Sequence, residues 1–203
     1  MSDQKDQKDK IFYYSKSKNV NVGKGVNEYL NKNNENKYKE LNKIKDFRKK
    51  LSNFYEAPFI ASNQKWNTIE HYYQGNKFRK NEKFMLEFTF NSKSKWNKDP
   101  NLAKSAGGKS GKSKGKVLRP SYILMDKDFE KNKHKIMIIA MFAKFVQNKE
   151  LLDLLMKTEN LELWHGTRGV KKHRVYSLET VRNCIRKYLK YGIDNLIKIS
   201  KLL

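Results

Sequence analysis

One stretch of this 203-residue chain carries side chains whose types and spacing suit acid–base or nucleophilic chemistry: Trp66-Asn-Thr-Ile-Glu70-His71-Tyr72-Tyr73-Gln74-Gly-Asn-Lys77-Phe78. On a helix, Glu70, Gln74 and Lys77 fall within about 60° of one another around the axis, with Tyr73 bordering the stripe and Trp66 beside it. Glu70 and Lys77 then stand about 10 Å apart along the axis, which leaves room for a sugar-sized ligand between a carboxylate and an amine. The carboxylate can shuttle a proton, and the amine can attack a carbonyl or steady an anion. A structural use stays open as well. Asn67 and Glu70 have the spacing of a capping box, and Lys77 is one of 38 lysines.

Two further patterns carry less. Ala106 to Ser113, AGGKSGKS, approaches a phosphate-loop pattern with Ala in place of the first Gly. Such a loop needs a buried strand leading in and a helix leading out. Pro100-Asn-Leu-Ala-Lys104 before it and Gly115-Lys-Val-Leu-Arg-Pro120 after it offer neither, so it reads as a solvated basic loop. Cys184 is the only cysteine, and the histidines at 71, 134, 165 and 173 contain no pair at ligand spacing, so no metal is expected. Cys184 itself reads as a small buried residue of an amphipathic helix.

The elements that must position these groups follow from periodicity. Residues 1–10 read as a disordered tail and Ile11–Tyr14 as a short strand. Residues 15–45 are polar and weakly periodic. Residues 52–66 read as a loop and a strand, with Pro58 at its start or edge. Asn67 opens the helix that carries Glu70. Residues 91–120 hold the Gly/Ser/Lys run SAGGKSGKSKGK, expected to be a mobile loop. Asp128–Gln147 is a long helix whose centre, Ile136-Met-Ile-Ile-Ala-Met-Phe-Ala143, is apolar on every side and so should be buried. Glu150–Lys157 continues as a second helix. Ser177 can cap a last one with Leu178, Val181, Ile185 and Leu189 on one face. The expectation is one α+β domain, mostly helical, with a small sheet near the N-terminus. Its parts are a Lys/Asn-rich, partly disordered extension at 1–45, the domain proper at 46–190 and an amphipathic tail at 191–203.

Composition excludes several classes. The longest apolar run has eight residues, too short to span a bilayer, and the first ten residues contain no signal-like apolar stretch. A soluble, cytoplasmic protein without a disulfide framework is expected. The net charge of +24 suggests nucleic acid, but only seven of the 45 basic residues are Arg, and Lys and Asn abound together throughout. That balance points to compositional drift rather than to a base-reading surface, which favours Arg.

Ser52-Asn53-Phe54-Tyr55, Trp66 to Gln74 and Lys77-Phe78 together resemble the signature of the YbiA-like, or NADAR (NAD- and ADP-ribose-associated), family. The order continues downstream in Ala103–Gly107, Lys135–Phe145, Leu151–Thr158 and Leu178–Arg182, so the resemblance covers roughly residues 50–185. It implies an N-glycosidase with Glu70 and Lys77 as the functional pair and with no cofactor. The substrate it implies is a small phosphorylated ribosyl compound. The enzymes it resembles split ribosylamino-pyrimidine 5′-phosphates, early intermediates of riboflavin biosynthesis, into ribose 5-phosphate and free base. Another branch removes ADP-ribose from guanine in nucleic acid, and a non-catalytic ADP-ribose or nucleic-acid binder is the third possibility. Asn53, Phe54, Trp66, Tyr73, Gln74, Phe129 and His165 are the expected pocket residues, and Arg119, Arg168 or nearby lysines the expected phosphate ligands. Two departures stand out. Phe129 occupies a position that is tryptophan in the family, and Leu163-Trp-His-Gly-Thr-Arg168-Gly replaces an acidic, tryptophan-glycine step.

Overall fold

A computed structural model describes residues 7–166 and 171–203. Alternation in Lys10-Ile-Phe-Tyr makes the first strand, β1 (Lys10–Tyr13), which buries Ile11 and Tyr13. A 3-10 turn (Lys32–Tyr38) and two short helices, α1 (Lys39–Asn42) and α2 (Phe47–Leu51), follow. The segment 15–45, expected as an extension, joins the core: Val22, Tyr38 and Leu41 are buried. The cause is Glu28. Its buried carboxylate accepts hydrogen bonds from the backbone of Phe12, Gly23 and Gly25 and is paired with Arg48 at 2.6 Å. A buried charge tolerates such a place only when it is paired and hydrogen-bonded.

After Pro58, β2 (Phe59–Ala61) and β3 (Gln64–Trp66) form a hairpin through Ser62 and Asn63. Both turn residues have positive φ, at 50° and 58°, as the favoured two-residue hairpin turn requires. Next come α3 (Ile69–Gly75), a 3-10 turn (Asn76–Phe78) and α4 (Glu82–Leu86). The Gly/Ser/Lys region is ordered into α5 (Pro100–Ala106) and a small hairpin of β4 (Lys112–Ser113) and β5 (Lys116–Val117). Asp99 starts α5 by accepting from the N–H groups of Asn101 and Leu102, with Pro100 in the first turn. A helix therefore precedes the glycines and a strand follows them, the reverse of a phosphate loop.

The long apolar pattern is α6 (Phe129–Gln147), and its residues 140–146 are all buried. It packs on α3 and β2, and on three later helices: α7 (Lys149–Lys157), α8 (Tyr176–Tyr188) and α9 (Ile193–Leu202). Between α7 and α8 lie β6 (Glu162–His165) and β7 (His173–Arg174). The three-stranded sheet has the order β1-β6-β7, with β1 parallel and β7 antiparallel to β6. Its register aligns Tyr13, His165 and His173 in one row across the strands.

Two helix details correct the sequence expectations. Cys184 is exposed, because α8 buries Leu178, Val181, Arg182 and Ile185, and a position one residue from Ile185 is rotated by about 100°. Ser177 caps nothing: α8 begins at Tyr176, and Val175 ahead of it offers no side-chain cap.

Candidate active cleft

Glu70 is the second residue of α3. The helix is capped by Thr68, whose hydroxyl accepts from the His71 N–H at 3.2 Å, and not by Asn67. Asn67 instead donates to the Asn97 carbonyl and side chain. The capping-box use of Glu70 is thereby removed, and its carboxyl is available for other work. The backbone N–H of Glu70 donates to the Asn53 carbonyl at 3.1 Å, tying α3 to the Ser52–Phe54 loop.

Glu70 is 7% exposed. Its Oε1 accepts from Gln74 Nε2 at 2.7 Å, the i,i+4 neighbour on the same face, and Oε2 has no partner among the described residues. Burial pushes its pKa upward, opposed by the Gln74 hydrogen bond and by the charges of Lys104 and Lys77.

Glu70 lines a cleft of about 440 Å³. One wall is Ser52, Asn53 and Phe54. The cleft is also lined by the sheet row of Tyr13, His165 and His173, with Val175 and Ser177 at the start of α8. Met137 and Met141 of α6 supply apolar surface, and Lys104 of α5 supplies the cation. The loop wall is fixed from behind by Lys144, fully buried on α6. Its ammonium donates to the Ser52 carbonyl at 2.8 Å and the Lys50 carbonyl at 3.0 Å. Burial without an acidic partner lowers its pKa to about 7.

Lys77 is not among the residues lining this cleft. The α-helix ends at Gly75, so Lys77 sits on the 3-10 turn and leaves the expected stripe. Its ammonium donates to the Gly107 carbonyl at 2.9 Å and lies 5.5 Å from the ring centroids of both Tyr73 and Phe129, which meet edge to face. Burial lowers its pKa, and the charge of Glu70 is the first influence opposing that. Gly107 separates the two settings. A Cβ there would lie 2.2 Å from Gln74 Oε1, so only glycine lets this backbone approach the Glu70–Gln74 pair and meet Lys77.

Asn53, Phe54, Glu70 and His165 thus come together in the cleft, with Gln74 holding Glu70. Tyr73, Lys77 and Phe129 form a second group beyond Gln74. Trp66 joins neither: it is buried in the core, donates to the Ala61 carbonyl at 3.0 Å and packs on Tyr72. Strand alternation in β3 turns it inward. Arg119 is also outside the cleft, with its guanidinium over the Phe78 ring and donating to the Lys109 carbonyl. Arg168 lies outside the described residues. Lys104, Tyr13, His173 and the two methionines were not singled out from the sequence. Lys104 stands three positions before Gly107 on a helix that only Asp99-Pro100 announces, and His173 enters the cleft through strand register.

A larger cavity, about 560 Å³, lies near Asp9, Asn34 and Arg182, but several of its charges are already satisfied. Arg174, for example, bonds both Glu162 and Glu179 at 2.6 and 2.7 Å. Among the described residues no helix is long and apolar enough to cross a membrane. No group of three or more His, Cys, Asp or Glu residues among them is arranged to hold a metal ion.

A family model described as the NADAR domain matches residues 14–168. Among solved structures, the NMR structure of the E. coli protein YbiA is similar at a TM-score of 0.55 and 25% identity, over 72% of this chain and 83% of that one. No curated protein sequence matches.

Proposed function

This chain belongs to the NADAR family, and from that premise we propose that it hydrolyses the ribose C1′–N bond of ribosylamino-pyrimidine 5′-phosphates, releasing ribose 5-phosphate and free base. The observation that carries the reading is the Glu70 carboxyl. It is nine-tenths buried, anchored through one oxygen and, among the described residues, unpartnered at the other, on the wall of a cleft of sugar-sized volume.

A carboxyl with a raised pKa keeps its proton closer to neutral pH and so can act as a general acid. Glu70 would protonate the leaving nitrogen as the C1′–N bond breaks, and the electron pair of that bond stays with the base. Water, or an amine followed by water, supplies the oxygen at C1′. Lys77 is the amine that the family resemblance assigns. Its lowered pKa raises the neutral, nucleophilic fraction, and attack requires that it leave the Gly107 carbonyl. If it stays there, its charge stabilises the ionised Glu70 after proton transfer.

The test is ribose 5-phosphate release from the ribosylamino-pyrimidine, with borohydride added in a parallel reaction. Release by the wild type and a trapped sugar on Lys77 support hydrolysis through an amine. Release without an adduct leaves Lys77 its electrostatic role. No release ends the assignment.

A second reading, removal of ADP-ribose from guanine in nucleic acid, is favoured by one feature. A neighbouring cleft of about 400 Å³, lined by Phe12, Lys18, Lys24 and Lys172, shares Tyr14 with the Glu70 cleft. Release of ADP-ribose from a modified oligonucleotide, with no action on the pyrimidine substrate, selects this reading.

A further inference from the structure

The wall of the cleft formed by α5, the sheet row and α8 is rich in groups the hydrolytic step does not use. Lys104 lines the cleft with its ammonium 5.8 Å from the Phe54 ring centroid, in no ion pair or hydrogen bond among the described residues. Its charge acts on both Glu70 and His165. The sheet register sets His165 beside His173, with ring centroids 5.5 Å apart, and the His165 ring has no hydrogen-bond partner among the described residues. The thirteen-residue helix α8 begins at this wall, where Val175 and Ser177 line the cleft. No side chain caps α8, and the N–H groups of Tyr176 and Ser177 find no partner among the described residues.

An ammonium, two imidazoles, a hydroxyl and the positive end of a helix are complementary to a phosphate dianion. Glu70 is not, and it shares the cleft with Lys104, whose charge offsets its own. Of the two arginines expected from the sequence to hold phosphate, Arg119 does not compete for this role, because it faces Phe78. We propose that Lys104, His165, His173 and the start of α8 at Ser177 form a subsite for the phosphate monoester of a sugar ligand. The sugar then extends from this wall towards Glu70, so that its C1′ end approaches the carboxyl and its phosphate stays remote from Lys77. The choice of ribose as the sugar rests on the function proposed above; the phosphate subsite rests on the cleft alone.

The test is calorimetric titration of the full chain with ribose 5-phosphate, with ribose and a short unmodified oligonucleotide as comparison ligands. Wild type should bind ribose 5-phosphate at least about 10-fold more tightly than ribose, the worth of a charge-assisted contact. Lys104→Ala should lose about 10-fold in affinity for ribose 5-phosphate and nothing for ribose, and His173→Gln about 3-fold. Lys104 and His173 are both exposed, so these variants should keep the wild-type Tm. Arg119→Ala should bind like wild type. Equal affinity for ribose and ribose 5-phosphate would overturn the subsite. So would loss in Arg119→Ala with none in Lys104→Ala, or oligonucleotide binding that depends on Lys104 while ribose 5-phosphate binding does not. Turnover is measured separately. Lys104-dependent binding without hydrolysis removes the proposed reaction and leaves the subsite. Hydrolysis indifferent to Lys104 does the opposite.

Discussion

Glu70 has an amine on either side, and the two are held in different ways. Lys104 belongs to the open cleft, on a helix surface, with no bonded partner among the described residues. Lys77 belongs to a tighter setting beyond Gln74, tied to the Gly107 carbonyl and laid against Tyr73 and Phe129. A solvated ammonium attracts anions at little cost, whereas a half-buried one loses part of its hydration and moves towards neutrality. The same side-chain type, on two sides of one carboxyl, is suited to holding charge in one place and to reacting or stabilising charge in the other. Gly107 and Gln74 form the partition that keeps the two uses apart.

The largest effect should come from removing the group both sides share. Glu70→Gln is expected to lower kcat by about 10²- to 10⁴-fold, the usual worth of a general acid, while ribose 5-phosphate still binds. A steady-state assay with parallel calorimetry reads both. The two lysines should then separate kinetically. Lys77→Ala should lower kcat by about 100-fold with little change in KM, whereas Lys104→Ala should raise KM about 10-fold and leave kcat within a factor of about 3. Matching profiles for the two variants would erase the contrast between the compartments.

Gly107→Ala attacks the partition itself. The new methyl must displace the Gln74 side chain and loosen its bond to Glu70, which should lower kcat about 10-fold and stability by about 1–3 kcal/mol. Gly108→Ala is a control with less crowding, since its Cβ would meet the nearest atom at 3.1 Å. Thermal melts and activity of the pair measure the difference.

Smaller effects appear in the pH dependence of stability. Burial raises the Glu70 pKa in the folded state, so the stability tied to its protonated form is present below the unfolded value of about 4.3 and is lost as pH rises through the folded pKa. Glu70→Gln should therefore melt higher than wild type at pH 7.5, and the gain should vanish near pH 4. Lys144 behaves as the mirror image behind the cleft wall. Its folded pKa of about 7 lies below the unfolded value, so stability rises as pH climbs from about 7 to about 10. Lys144→Met should flatten that rise. It should also leave the Ser52 and Lys50 carbonyls without their donor and loosen the Ser52–Phe54 wall. Calorimetric melts across pH measure both slopes.

Much of the framework is legible in the sequence. Strand β1, a strand after Pro58 and helices α6, α7 and α8 follow from apolar periodicity, which acts locally, whereas the second strand of the hairpin after Pro58 and its Ser62-Asn63 turn are not read from the sequence. The Ser52–Phe54 loop and Glu70 are legible through the family pattern. The rest of the cleft depends on relations that no local pattern carries. Tyr13, His165 and His173 meet because three strands from distant parts of the chain pair in one register. Lys77 leaves the stripe because α3 stops at Gly75, two residues before the spacing argument requires it. Residues 15–45 look like a polar extension because their apolar residues are few, yet the buried Glu28–Arg48 pair draws them into the core.

The most direct test of the central claim is the titration of the Glu70 carboxyl itself, followed by carbon-13 NMR on glutamate-labelled protein and assigned with Glu70→Gln. The Glu70 carboxyl should titrate above the unperturbed value of about 4.3, and its pKa should rise further when ribose 5-phosphate brings its dianion into the cleft. A carboxyl that titrates at the unperturbed value and ignores the ligand would contradict the claim.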